Sequence, residues 1–282
     1  FSFEFFPPGK NTTIEELKSL IAELSKLGPA FTTCTFRADG TTQKITEEIV
    51  AYMQKDLNMS AVSHLTCVGQ DKDQINAVLN SLKQNGIDNV LALRGDPPKG
   101  QDIFTASPNG FSSAKDLSSY INQNHDFSIA VAGYPEGHTE AVSLDADIDY
   151  LKSKQDAGAE LIITQLFFDI NFYEIFLDKV EKANITIPIL PGIMPIRNVG
   201  QLKRFTSLCG ASIPLKLEED LNAIEKDSKA VFDFGVQFAT EFSKNLIKLG
   251  APGIHFYTLN KEKQIQAVVS NLIESKVLNS FK

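Results

Sequence analysis

The acid that stands out in this chain is Glu4, set in FSFEFFPP among phenylalanines and just ahead of two prolines that end any strand. Side chains alternate across a strand, so if Phe3 and Phe5 face apolar neighbours, Glu4 points the other way. In a desolvated interior its pKa is expected to rise, leaving a neutral acid able to donate a proton. A carboxylate solvated or salt-bridged at a rim is the alternative, but an unpaired buried one is costly. A second ionisable group sits in LRGDPP, where Arg94 and Asp96 flank Gly95. It reads as an ion pair with a turn, or as a cation for an anionic ligand beside a carboxylate for a polar heterocycle. Arginine is scarce (Arg37, Arg94, Arg197 and Arg204), so the place of each carries information.

Weaker candidates follow. His64 in AVSHLTC, taken singly, reads as a core histidine. With Glu4 and Asp96 it could imitate a metal triad, but no HxH, HExxH or paired Cys/His spacing supports one. Tyr134 and His138 share the turn GYPEGH, built on Pro135 and Gly137. Gln165 closes the apolar run IITQ, where an amide adds nothing to packing, so a ligand contact is the better reading. Asp147 and Lys154 lie seven apart on one helix face and read as solvated charges, and Phe205 in QLKRF reads as core.

Such groups need elements to hold them. Eight β-rich runs recur: Ser2–Phe6, Phe31–Phe36, Ala61–Cys67, Asn89–Leu93, Ser128–Gly133, Glu160–Thr164, Ile187–Gly192 and Gly253–Tyr257. Several lack polar alternation, as parallel strands covered on both faces do. Between them lie helical stripes, the first opened by a Thr13/Glu16 capping box ahead of Ile14, Leu17, Leu20, Ile21 and Leu24. Extra helices are expected around Leu215–Ile224 and Lys229–Leu249, in the long segment between the seventh and eighth strands. The fold class is therefore α/β: a (β/α)8 TIM barrel as a single domain over residues 1–282. A doubly wound sheet would need a phosphate-binding glycine fingerprint, and neither GxGxxG nor GxxxxGK[ST] occurs. In such a barrel the active site lies at the C-terminal strand ends, which gather Glu4, Thr35, His64 with Thr66, Arg94-Gly95-Asp96, Tyr134, Gln165 and Tyr257. No lysine is among them, which disfavours Schiff-base chemistry.

Composition narrows the setting. With 43% hydrophobic and 22% charged residues the chain can bury a full core. A net charge of −8 and a pI near 5.1 argue against nucleic-acid or anionic-membrane partners, whose phosphates such a field repels. No apolar run reaches the roughly 20 residues of a membrane span. Cys34, Cys67 and Cys209 show no CxxC spacing, and no signal peptide is legible, so a reducing cytosol is expected. The chain lacks an initiator Met, so residues are expected before Phe1.

Taken in order, FSFEFFPP, HLTC, LRGDPP, VAGYPEGH, ITQLFFD, PGIMPI and HFYTLN resemble the methylenetetrahydrofolate reductase family across essentially the whole chain. The resemblance implies a barrel flavoprotein that reduces methylenetetrahydrofolate to methyltetrahydrofolate, with NADH or NADPH as donor through FAD, in ping-pong order. It would supply methyl groups for methionine synthesis. By position, Glu4 matches the general acid that protonates the bridging nitrogen, and Asp96 the carboxylate near flavin and pterin. Gln165, Gln201, Phe205, Tyr257 and Lys261 match substrate neighbours. Thr35, His64, Arg94, Gly95, Asp96, Ala114, Tyr134, His138, Asp147 and Lys154 match FAD contacts. The resemblance also implies a homo-oligomer; no metal is expected, and because the chain ends soon after the eighth βα unit no C-terminal regulatory domain is expected within these residues. The chain departs from the family pattern at Arg37, Ser113 and Lys261. A flavin-free folate reductase of the same fold, a metal-dependent hydrolase or lyase barrel, and a non-catalytic barrel that binds folate or a partner protein stand as alternatives.

Overall fold

The computed structural model describes residues 1–9, 11–36, 43–97, 100 and 103–279, with only the backbone at 43. Arg37 lies outside the described residues. Among the described residues nine strands pair in parallel: β1 Ser2–Phe5, β2 Phe31–Cys34, β3 Ala61–Thr66, β4 Asn89–Leu93, β5 Ser128–Gly133, β6 Leu161–Thr164, β7 Ile189–Leu190, β8 Gly192–Ile193 and β9 His255–Tyr257. Their order is β7-β6-β5-β4-β3-β2-β1-β9-β8. The seventh run expected from sequence is thus split in two, and Pro191 is the reason. Proline cannot donate to a ladder, so β7 pairs only β6 and β8 pairs only β9. Pro191 still accepts a bond from His255 N at 3.0 Å. As β7 and β8 end opposite sides of the sheet yet are one residue apart, the sheet curls into a barrel.

The described residues surround it with ten helices, α1 Ile14–Ser25, α2 Gln43–Lys55, α3 Lys72–Gln84, α4 Ala114–Asn124, α5 Leu144–Asp156, α6 Ile170–Lys182, α7 Val199–Cys209, α8 Leu215–Ile224, α9 Ser228–Lys248 and α10 Glu262–Glu274. The Thr13/Glu16 capping box is present at α1. The expected extra helices are α8 and α9, joined by α7 between β8 and β9.

Strand alternation sorts the residues into two layers. Phe3, Phe5, Leu65, Val90, Ala92, Val131, Ile162 and Phe256 face the helices in the main core. Val62, Leu91 and Ala130, with Phe31, Leu93 and Leu161, form a separate apolar plug. Polar residues of the same inward register, Glu4 and His64, lie above that plug. A third cluster under α7, α8 and α9 joins Leu166, Met194, Ile196 and Leu202 to Phe205 and Tyr257. It seats the inserted helices at the barrel mouth.

Candidate active site

Glu4 is 5% exposed, with Phe3 and Phe5 wholly buried on the opposite face. Parallel pairing sets Ser2 beside His255 and Glu4 beside Tyr257. A buried polar chain results. Ser2 Oγ meets His255 Nδ1 at 2.8 Å, His255 Nε2 lies 3.5 Å from Glu4 Oε2, and His64 Nε2 lies 3.3 Å from that same oxygen. His64 Nε2 also meets Thr33 Oγ1 at 3.2 Å.

This chain overturns the expected proton affinity of Glu4. Burial alone pushes the carboxyl up, but the charge of His64 and hydrogen bonds from His255 and His64 outweigh it and pull the pKa down to about 2. The inward orientation is as expected, whereas the resting acid is a carboxylate. Burial pushes the His255 imidazole below its ordinary value, against the pull of Glu4.

The HFYTLN segment holds this acid in place. Thr258 donates from both N and Oγ1 to the Glu4 carbonyl, at 3.1 and 2.6 Å. Asn260 brackets the next peptide, accepting from Phe6 N at 3.0 Å and donating to Phe6 O at 2.7 Å. Leu259 and Asn260 both take positive φ, 49° and 54°, a strained pair where the backbone turns back on β1. Tyr257 Oη donates to Thr164 O at 2.7 Å. A Cβ on Gly192 would stand 2.3 Å from that same oxygen and 2.6 Å from Tyr257 Cε2, so only glycine admits the ring.

Above Glu4 opens a cleft of about 460 Å³, within the range of small-ligand sites. Glu4, Thr35, His64, Arg94, Gly95, Asp96, Tyr134, His138, Gln165, Phe205 and Tyr257 all line it, so eleven residues singled out in the sequence converge. Apolar wall comes from Leu91, Leu93, Ile163, Leu166, Met194 and Leu208. Thr66 Oγ1, also in the wall, is buried without a partner, a donor left for a bound molecule. Phe205 is half-buried at the cleft rather than core. His64 is buried as a core histidine would be, yet it faces the cleft.

Arg94 does not pair with Asp96, which is exposed. Its guanidinium clasps Glu140 at both ends, 2.5 and 2.8 Å, while Nε donates to Gly95 O and Phe104 covers one face at 5.2 Å. Gly95 sits at φ 87°, where a Cβ would meet Val68 Cγ1 at 2.9 Å. The GYPEGH turn sets Tyr134 edge-on to His138 at 4.7 Å. Burial chiefly pushes the Tyr134 hydroxyl above its ordinary range.

Asp147 and Lys154 correct the reading as solvated charges: they are 6% and 3% exposed. They stand behind the cleft wall, where Asp147 accepts from His138 N at 3.2 Å and Lys154 Nζ donates to Ala132 O at 2.6 Å. Burial raises the Asp147 carboxyl and lowers Lys154 to about 8. Ala114 begins α4 and Gln201 lies in the first turn of α7, while Lys261 is exposed at the start of α10. None of these three lines the cleft.

Sequence reasoning passed over Ser2, His255, Thr258, Asn260 and Glu140. The period of two offered a signal for the first pair, since Ser2 shares a face with Glu4 and His255 with Tyr257. Glu140 offered none, because its partner is 46 residues away.

Among the described residues no group of three or more His, Cys, Asp or Glu is arranged to hold a metal ion, and no helix is long and apolar enough to cross a membrane. The three cysteines are free.

A parallel α/β barrel with a buried acid beneath a mixed polar and apolar cleft defines a protein of the TIM-barrel class with a small-ligand site at its mouth. The family model for methylenetetrahydrofolate reductase matches residues 1–273, and the chain belongs to that family. It is 40% identical to Methylenetetrahydrofolate reductase (NADH) 1 of Arabidopsis thaliana over 295 residues, covering 100% of this chain and 50% of that protein. It is 35% identical to the 5,10-methylenetetrahydrofolate reductase of Escherichia coli over 271 residues, covering 96% of this chain and 90% of that protein. The chain spans about half the length of the plant relatives it matches. Among solved structures, an uncharacterised Clostridium thermocellum protein that binds two copies of 5-methyl-5,6,7,8-tetrahydrofolic acid shares the fold. Its TM-score is 0.64 at 19% identity, covering 98% of this chain and 94% of that one. Dihydropteroate synthase of Xanthomonas albilineans has a TM-score of 0.55 at 11% identity, covering 98% of this chain and 92% of that one.

Proposed function

We propose that this chain reduces 5,10-methylenetetrahydrofolate to 5-methyltetrahydrofolate, taking hydride from NADH or NADPH with FAD as the intermediate carrier. The observation that carries this reading is Glu4, buried at the foot of the cleft and coupled to two imidazoles. Breaking the folate's imidazolidine ring needs a proton on the bridging nitrogen while hydride adds to the methylene carbon. Two imidazoles border the Glu4 carboxyl, His64 Nε2 at 3.3 Å and His255 Nε2 at 3.5 Å. In the free enzyme Glu4 rests as a carboxylate. As substrate binds, the carboxyl takes up a proton from solvent and passes it to the leaving nitrogen. His255 and Ser2 keep the carboxylate oriented from behind.

Bound FAD would supply hydride carriage. The residues fit such a group: Thr66 Oγ1 is an unpartnered donor in the wall, Arg94 is a cation at the mouth, and Thr35, His64, Gly95, Tyr134 and His138 line the same cleft. Ala114, Asp147 and Lys154 would act at or behind the wall. Asp96, at the rim, would oppose positive charge developing on the pterin. Gln165, Phe205 and Tyr257 would hold the folate, with Gln201 and Lys261 reached only by its tail. One cleft serving donor and acceptor in turn gives ping-pong kinetics. The cysteine usage supports a reducing cytosol as its setting, and the resemblance supports a homo-oligomer.

The test separates the two half-reactions. Glu4→Gln should abolish folate reduction, by a factor of about 10²–10⁴ or more, and leave anaerobic bleaching of flavin by NADH or NADPH intact. Loss of both would mean that Glu4 serves only the fold. A colourless, folded preparation that still turns over would remove FAD from the account.

A further inference from the structure

We propose that Glu140 is a resident counter-ion that an anionic ligand displaces from Arg94, and that it sets how tightly the cleft holds a phosphate-bearing molecule. The site is otherwise poor in positive charge. Among the described residues Arg94 is the only lysine or arginine in the cleft lining, and Glu140 takes one N–H from each of its terminal nitrogens at 2.5 and 2.8 Å. Such a bidentate fork has the geometry a phosphate would use.

Glu140 is built into its place. Its N–H donates to His138 Nδ1 at 3.1 Å, in the same turn that sets His138 against the cleft. Arg94 is braced independently by Gly95 O and the Phe104 face, so it stays in position when Glu140 swings away. The carboxylate side chain is 52% exposed against 25% for the guanidinium, so Glu140 is the partner free to move into water. With Asp96 and Glu4 in the same lining, an anion entering against an undisplaced Glu140 meets net negative charge. Removing that carboxylate should therefore tighten anion binding. This rests on the flavin reading only for the identity of the natural ligand.

The experiment compares wild type, Glu140→Gln and Arg94→Gln by titration with FAD, ADP, inorganic pyrophosphate and uncharged riboflavin. Glu140→Gln should bind FAD, ADP and pyrophosphate about two- to fivefold tighter, the range expected for releasing a part-exposed ion pair. Riboflavin affinity should not change, and added salt should weaken the variant more steeply than wild type. Arg94→Gln should lose the phosphate contribution whether or not Glu140 is present. Weaker or unchanged anion binding by Glu140→Gln overturns the proposal, as does failure of every anion to bind any variant. If FAD binds wild type and the variant is no tighter, this inference fails while the flavin reading stands. If FAD binds neither form and the variant gains pyrophosphate, the flavin reading fails while this one stands.

Discussion

Replacing Lys154 by Met should stabilise the ligand-free protein. The ammonium is 3% exposed, with Ala132 O as its hydrogen-bond acceptor, aromatic rings of Tyr134 and Tyr150 at 5.9 and 5.0 Å, and Asp147 as its counter-charge. Burial outweighs that carboxylate and lowers its pKa from 10.5 to about 8. At about 1.4 kcal/mol per tenfold change in proton affinity, the charged form carries on the order of 3 kcal/mol of cost near neutral pH. Met keeps the apolar stem but gives up the bond to Ala132 O, roughly 1 kcal/mol. It also leaves Asp147 without its cation, which burial already pushes towards the neutral acid. A net gain of about 1–2 kcal/mol remains, or about 2–4 °C in Tm for a chain of this size.

The pH dependence has a definite sign. Below about pH 8 the native and unfolded chains both carry the proton on Lys154, and the native state bears the full burial cost. Between about 8 and 10.5 the unfolded chain binds more protons at this site, so wild-type stability gains from rising pH. The variant has no such gain. Its advantage, measured by calorimetry, should be largest at pH 7 and shrink by pH 10. A lower Tm at pH 7, with a gap that does not change between pH 8 and 10, would show the Lys154–Asp147 pair to be net stabilising and refute the reasoning. If Lys154 also meets FAD, the stabilised variant should bind flavin more weakly.

Other outcomes follow from the same geometry. His64→Gln removes the charge that holds Glu4 ionised, and should cost about 3 kcal/mol, as breaking a buried pair does. The stability that Glu4 contributes exists above its ordinary 4.5 and disappears as pH falls towards about 2. The gap to wild type in urea denaturation should accordingly be wide at pH 6 and narrow at pH 3, and an equal gap at both would count against the coupling. Gly192→Ala drives a Cβ into Thr164 O and the Tyr257 ring, so it should cost about 1–3 kcal/mol and raise KM for the folate more than it lowers kcat. A variant with unaltered KM would mean that the ring relaxes without consequence for the substrate.

The barrel was legible because its signals are local. Apolar runs such as NVLAL and LIIT have the pattern of parallel strands covered on both faces, and the Thr13/Glu16 box marks a helix start within four residues. The two-residue period also settled that Glu4 turns away from Phe3 and Phe5. Arg94, Asp96, Gln165 and Tyr257 could be gathered at one rim because each ends its strand, and in a closed parallel barrel those ends share one face.

What chemistry those residues find there was decided by neighbours distant in the chain. Glu4 is a carboxylate rather than a neutral acid because His255, 251 residues on, and His64 on β3 approach the same oxygen. Lys154 and Asp147 have the spacing of a solvated pair, yet α5 presses them behind the cleft wall. Arg94 answers to Glu140 rather than to Asp96 two positions away. Period and capping depend on the backbone within a few residues, whereas proton affinity and ion pairing depend on which charges and how much water lie within a few ångströms. Only the closed barrel determines that.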